Sequence, residues 1–577
     1  MPSTRSACLA EWLLGLLLIV AYGWLFVFFP RINNPNEMVR VYMARAIAEE
    51  HTYAIGQRAL KMGHLADQGP LFAEWGYVND KSLVCDNPSL QGPYCTGLLY
   101  SGKAPGVSLV AAPIVFAQNA ITQVVMRRPP SKDEYVFVLR WLLAILPTIA
   151  LWLIVRRFLI ARGVEAPLAL AATLAGACGS LSYTFGQMVA GHQTTGIALA
   201  FGLMLICWPD REINREKREP MRAALTGLCL SAAVCFEYQS APPAIGLTAL
   251  WLFVRVLPGR YQSGFARSLL CFAIGAVPFT GLFAQFHTAA YAAPWKTGYS
   301  FLENAGFKQT MSPGIMGISL PTGERIWGSF FSPSLGLFFF APWIALALGC
   351  LPLAWKKWRA DDVTNKTTSV TSSRAKNLAL PAALAVVAFY LFFQASQSLW
   401  RSGWTVGPRY ITPLVPFAAI AVALAFQSLA PSARALAAAL LGGAGAAAIV
   451  ATGLASSVCQ GFPDEPHGPL AEIVAPLLMH GWVPRNLLQL AGVPGLWSAL
   501  PTFIALGLAA FVCLQTTWKI DAPIKVRKLG LWLAISVFVI LAAGQWLTDA
   551  HAGPWGSAHF LATQWSPPNP PGAALFQ

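Results

Sequence analysis

Apolar runs of about 20 residues, the length an α-helix needs to cross a bilayer core, recur thirteen times along the chain. They lie near residues 9–29, 136–155, 167–186, 190–207, 223–239, 241–256, 268–286, 335–353, 377–395, 411–429, 435–455, 500–517 and 529–547. The first run has no A-x-A cleavage site and ends in bulky Trp24-Leu25-Phe26, which predicts an uncleaved anchor. The stretches between runs alternate in character. One set is short and basic: Arg156-Arg157 with Arg162; Arg211 through Arg222; Arg255, Arg260 and Arg267; Lys356-Lys357 through Lys376; Lys519 through Lys528. The other is longer and rich in Trp, Tyr, Pro and Gly. The positive-inside rule assigns the basic set to the cytoplasm, with the N-terminus inside and the C-terminus outside.

One further run, 107–126, resists the count, because a crossing there would carry Arg156-Arg157 outside and invert every later loop. It contains Pro113, Gln118 and Asn119 and is flanked by Lys103 and Arg127-Arg128. It predicts a helix lying in the outer interface. The expected fold is therefore an all-α, polytopic membrane bundle of about 13 transmembrane helices, with interfacial helices in the first outer loop.

Composition narrows the function. With 56% hydrophobic and 11% charged residues and a mean hydropathy of +0.53, a water-soluble domain of this length is excluded. The net charge of +15 is scattered over separate cytoplasmic turns, so it is a topology signal and no nucleic-acid partner is expected. Cys85 and Cys95 differ from the cysteines inside spans: they share a polar outer loop, where an oxidising exterior predicts a disulfide. No His, Cys and carboxylate cluster has metal-ligand spacing, so neither a metal nor a cofactor is expected.

The candidate chemistry collects on the outer side. Asn34-Pro35 reads as helix cap and first-turn proline, which puts Glu37 in the first turn of a helix running to about Glu50. The helix dipole favours its ionised form there, as suits a general base; capping the helix and pairing with Arg40 is the other reading. Lys103 stands at a rigid Lys-Ala-Pro-Gly turn before a helix start, where its ammonium can meet a phosphate. His192 and Gln193 occupy one outer hairpin and Glu237 another, each able to hydrogen-bond a ligand or to cap the hairpin. In the segment Trp400 to Tyr410, Arg401 and Arg409 are interleaved with tryptophans, and the planar guanidinium suits phosphate.

Taken together, Asn36-Glu37, Lys103-Ala104-Pro105-Gly106 and Gly407-Pro408-Arg409-Tyr410 resemble, in order and sidedness, the membrane-embedded GT-C glycosyltransferases. The match is to the protein O-mannosyltransferase and aminoarabinose-transferase branch with its bacterial relatives, and it covers the first half of the chain best. Asn36 stands where many members carry a second acid, which weakens any case for a divalent metal. The resemblance implies inverting transfer of a sugar from a polyprenyl-phosphate carrier to a lipid, glycan or protein acceptor. Glu37 would be the catalytic base, and Lys103, Arg409, Tyr410, Arg401, His192, Gln193, Glu237 and Asn36 would bind substrate. It also implies a bacterial inner membrane with a periplasmic active face. Residues 1–353 would form the catalytic module, 354–376 a cytoplasmic loop, and 377–577 the C-terminal spans with an outer loop at 456–499. A transporter or flippase, or a non-catalytic assembly subunit of the same fold, are the alternatives; the near absence of mid-span charges and of an internal repeat speaks against the former.

Overall fold

The computed structural model describes residues 4–30, 33–90, 94–209, 215–257, 264–311, 313–314, 317–353, 370–556 and 561. Most of the expected cytoplasmic loop (354–369), residues 211–214, Arg260 and nearly all of the tail beyond 556 lie outside the described residues.

Among the described residues, eight helices are long and apolar enough to cross a membrane. Seven coincide with expected runs: Lys132–Ala161, Gly264–Tyr291, Asn377–Ser396, Arg409–Gln427, Pro431–Val458, Gly495–Leu514 and Ile524–Ala552. Shorter apolar helices, among them Ala166–Cys178 and Gly191–Cys207, occupy other expected runs. The eighth long helix is Gly106–Met126, expected in the interface; by length and composition it too could cross. In the most apolar 18-residue stretch of helix Arg409–Gln427, 94% of the residues are buried, whereas in that of Gly264–Tyr291 only 6% are, as in a lipid-facing helix.

The first outer loop begins with helix α1 (Pro35–Glu50). Its N-cap Asn34 accepts hydrogen bonds from the amides of Asn36 (3.1 Å) and Glu37, and Pro35 supplies a pre-set φ in the first turn. His51 closes the helix in the left-handed conformation. Beyond it the expectation of helices alone needs correction. Residues 56–101 form a four-stranded antiparallel sheet of strands β1 (Gly56–Lys61), β2 (His64–Gln68), β3 (Lys81–Cys85) and β4 (Gly97–Ser101), in the order β2-β1-β4-β3. Met62-Gly63, both with positive φ, make the two-residue turn between β1 and β2 that matches strand twist. The Cys85–Cys95 disulfide ties the end of β3 to the chain just before β4.

The sheet is fastened by buried charge: Arg58 Nη2 donates to Asp67 (2.6 Å) and to Glu303 (2.7 Å), and Lys81 Nζ lies 2.8 Å from Asp67. Helix α1 and the sheet share one apolar core with helix Gly106–Met126, and a larger core fills the bundle below.

Candidate active site

The sheet register brings two distant residues together. Lys81 pairs with Ser101 across β3 and β4, so Asp80 and Lys103 leave the sheet side by side. The Gly102 amide donates to the Asp80 carbonyl at 2.8 Å, and a Cβ at Gly102 would sit 2.7 Å from that oxygen, so only glycine allows the approach. Asp80 itself has φ +62°, a conformation that turns its side chain away from the strand direction. Its Oδ2 meets Lys103 Nζ at 3.0 Å, and both side chains are largely buried.

These two residues line a cavity of about 360 Å³. Arg409 and Tyr410 enter from the bundle side and Tyr299 from the loop after helix Gly264–Tyr291. Phe28, Phe29, Met188, Phe307 and Met311 contribute apolar lining, so the space carries both charged and apolar surface. Burial, the largest influence on Asp80, opposes ionisation, yet the charges of Lys103, Arg409 and Arg40 outweigh it and hold the carboxyl below the usual range. Burial likewise lowers Lys103, against the pull of Asp80, and Arg409 and Arg40 push in the same direction as burial.

The other acids are committed. Glu37 borders the cavity but has no exposed surface. Arg140 grips it as a fork, Nε to Oε1 at 2.8 Å and Nη2 to Oε2 at 2.7 Å, and the Val189 amide adds a third bond at 2.9 Å. Arg140 stands at the head of a π-helical turn, Trp141–Ile145, within helix Lys132–Ala161. Glu237 is paired at 2.6 Å with Arg40, whose guanidinium also binds the carbonyl and side chain of Asn36. Gly191 makes room for that pair, since a Cβ there would lie 2.8 Å from Arg40 Nη2. His192 lies behind this pair, with Asn36 Nδ2 at 3.4 Å and the Glu237 carboxylate at 3.5 Å, its ring edge against Tyr410.

Of the residues expected at the site, then, Glu37, Lys103, Arg409 and Tyr410 border the cavity, and Asn36, Glu237 and His192 form a shell behind it. Two of the expected residues lie away from the cavity. Gln193 follows His192 on a helix and so points elsewhere, donating to Ser182 (2.9 Å) and Thr148 (3.1 Å) inside the bundle. Arg401 lies at the surface with Asp464, 3.1 Å away, because Ser402, Gly403 and Gly407 all take positive φ and reverse the chain before Arg409. Asp80 and Arg140 were not singled out from the sequence, and Arg40, read there as a partner for Glu37, pairs instead with Glu237; only an acid next to Asn79 in a Trp- and Tyr-rich loop hinted at Asp80.

Charge bookkeeping leaves a remainder. Lys103, Arg40 and Arg140 each have a carboxylate, but Arg409 has none among the described residues, and its buried Nε makes no hydrogen bond. No three His, Cys, Asp or Glu side chains gather to hold a metal among the described residues. The arrangement is thus suited to an anion with an apolar neighbour.

The class so defined is a multi-pass helical membrane protein with an amphipathic, cation-bearing cavity beneath a loop domain. No family model matches the sequence, and no curated protein matches it. Among solved structures the chain is similar to ArnT from Cupriavidus metallidurans, in the crystal structure bound to undecaprenyl phosphate and in the apo state. Each gives a TM-score of 0.43 and 14% identity over 94% of this chain and 78% of that one. It is also similar to the arabinosyltransferase EmbB from Mycobacterium smegmatis, with a TM-score of 0.41 and 13% identity over 94% of this chain and 41% of that one.

Proposed function

We propose that the chain is an inverting glycosyltransferase that moves a sugar from a polyprenyl-phosphate carrier to a lipid, glycan or protein acceptor at the outer membrane face. The observation that carries this is Arg409, a buried cation without a carboxylate among the described residues, beside the Asp80–Lys103 pair in a cavity lined by both charged and apolar side chains. A phosphate with a prenyl tail satisfies both kinds of lining. The ordered motifs that resemble GT-C enzymes supply the sugar.

In this reading the donor phosphate takes Lys103 and Arg409, two charge-assisted partners for its oxygens. Doing so draws Lys103 from Asp80. That acid is held by one ion pair at 3.0 Å, whereas Glu37 is held by three bonds, so Asp80 is the carboxylate most readily freed. A phosphate brought next to Asp80 also raises its affinity for a proton. Asp80 then accepts the proton of an acceptor hydroxyl or amine as that atom attacks the anomeric carbon. The bond from that carbon to the phosphate oxygen breaks, and its electron pair leaves with the polyprenyl phosphate, stabilised by Lys103 and Arg409. Glu37 acts through Arg140 as a positioning residue for the wall.

The test is transfer from radiolabelled lipid-linked sugars in membranes carrying the full chain, with Asp80→Asn and Arg409→Ala. Loss of transfer in both, with the protein still folded, supports the reading. Retained transfer in Arg409→Ala sinks it, and a wild-type chain that binds polyprenyl phosphate without turnover points instead to the assembly-subunit alternative.

A further inference from the structure

We infer that the cavity seats a neutral, hydroxyl-bearing sugar ring against Gln460, Asn79 and Trp404, and discriminates against a cationic amino sugar. This rests on the transfer reading above and names its substrate class. Gln460 lines the cavity and is only 5% exposed, yet among the described residues neither its Nε2 nor its Oε1 has a hydrogen-bond partner. Asn79 lines the same cavity, and its buried Oδ1 is also unpartnered. Buried amide atoms left without partners are costly, so a ligand that satisfies them is what the site lacks.

A carboxamide both donates and accepts, which is the complement of a sugar hydroxyl that also does both. The segment carrying Gln460 is tied to the segment carrying Trp404 by the Thr405 amide, which donates to the Phe462 carbonyl at 3.3 Å. Gly461 lies close against Trp404, and the half-open indole borders the cavity. An aromatic face beside an amide suits the alternating C–H and O–H surface of a pyranose.

An ammonium group would need a carboxylate, and the two that border the cavity are engaged. Glu37 is held by Arg140, and Asp80, once the phosphate has drawn Lys103 from it, faces the acceptor whose proton it takes. Arg409, with no acid of its own among the described residues, adds a positive charge that an amino sugar would have to face. The polar groups still open are the uncharged ones.

The experiment measures binding to the purified full-length chain in nanodiscs. The probes are farnesyl phosphate, farnesyl phosphate bearing glucose, mannose or galactose, and farnesyl phosphate bearing a 4-amino-4-deoxypentose. The readout is the ratio of affinities for each sugar phosphate and for bare farnesyl phosphate, which does not depend on how much protein is folded. In the wild type at least one hexose raises affinity about tenfold, the worth of a satisfied buried hydrogen bond, and the amino sugar does not. Gln460→Leu brings that ratio close to one, and Gln460→Glu transfers the preference to the amino sugar. A wild-type preference for the amino sugar, a hexose ratio of one, or a ratio that survives Gln460→Leu overturns the inference. If bare farnesyl phosphate binds equally well to Arg409→Ala, it is the transfer reading that fails.

Discussion

Glu37→Gln separates a catalytic base from a structural clamp. In the folded chain Oε1 accepts from Arg140 Nε and the Val189 amide, and Oε2 accepts from Arg140 Nη2. A glutamine keeps one oxygen but places an NH₂ group opposite a guanidinium donor. The fork then loses a charge-assisted bond and Arg140, 4% exposed, keeps its charge without a counter-ion. Removing one partner of a buried pair costs about 3–5 kcal/mol, a large share of the roughly 5–15 kcal/mol that holds a folded domain. The expected result is a marked loss of resistance to denaturant in detergent, followed in parallel by loss of binding. Replacing both members, with Glu37→Gln and Arg140→Met, should recover much of that stability, because the stranded charge is gone. The Val27 carbonyl, which accepts from Arg140 Nη1 at 2.6 Å, limits how complete the recovery is. The reasoning is refuted if Glu37→Gln unfolds like the wild type yet transfers no sugar, since that is the signature of a base.

Other expectations follow from the same geometry. Arg409→Ala should weaken farnesyl phosphate binding about ten- to a hundredfold, the worth of a charge-assisted hydrogen bond, with unfolding unchanged; wild-type affinity in titration calorimetry would exclude it from the phosphate site. Lys103 must carry its proton to hold phosphate, and burial lowers it from the ordinary lysine value. Phosphate affinity should therefore be level at neutral pH and fall with rising pH earlier than an ordinary lysine would dictate; Lys103→Arg, which keeps its charge, should move that fall to higher pH. Arg401→Ala removes a surface pair with Asp464 worth about 0–1 kcal/mol, so a measurable drop in donor affinity would place Arg401 nearer the ligand than the structure does. Reducing the Cys85–Cys95 disulfide should expose the β3–β4 connection to protease, with a stability loss of about 2–4 kcal/mol in the chain-entropy account; unchanged cleavage would show that the sheet register alone holds the loop.

The bundle was legible because the membrane imposes a length on each span, and length survives in sequence without any knowledge of packing. The sheet was not. Strand β1, Gly56-Gln57-Arg58-Ala59-Leu60-Lys61, has no alternation of apolar and polar residues, since Arg58 is buried by Asp67 and Glu303 rather than replaced by a hydrophobe. Glu303 lies more than 200 residues away. A strand stabilised by a remote acid looks like a polar loop until the two ends are seen together.

The site divides along the same line. Lys103, Arg409 and Tyr410 could be read because each sits in a short run of Pro, Gly and aromatics whose backbone constraints are local. Asp80 could not, because its importance lies in pairing: the Lys81–Ser101 register and the bare Cα of Gly102 put it beside Lys103, and neither is visible in Asn79-Asp80 itself. Glu37 was conspicuous for the opposite reason, a helix cap that advertises an acid but says nothing of Arg140, more than 100 residues further on. Arg140 forms its fork from the start of a π-helical turn, a local widening that no hydrophobic period reveals. A carboxylate's neighbours, not its own sequence context, decide whether it is free to take a proton. That is why the acid with the weaker sequence signal, held by one displaceable lysine, is the better candidate for the base.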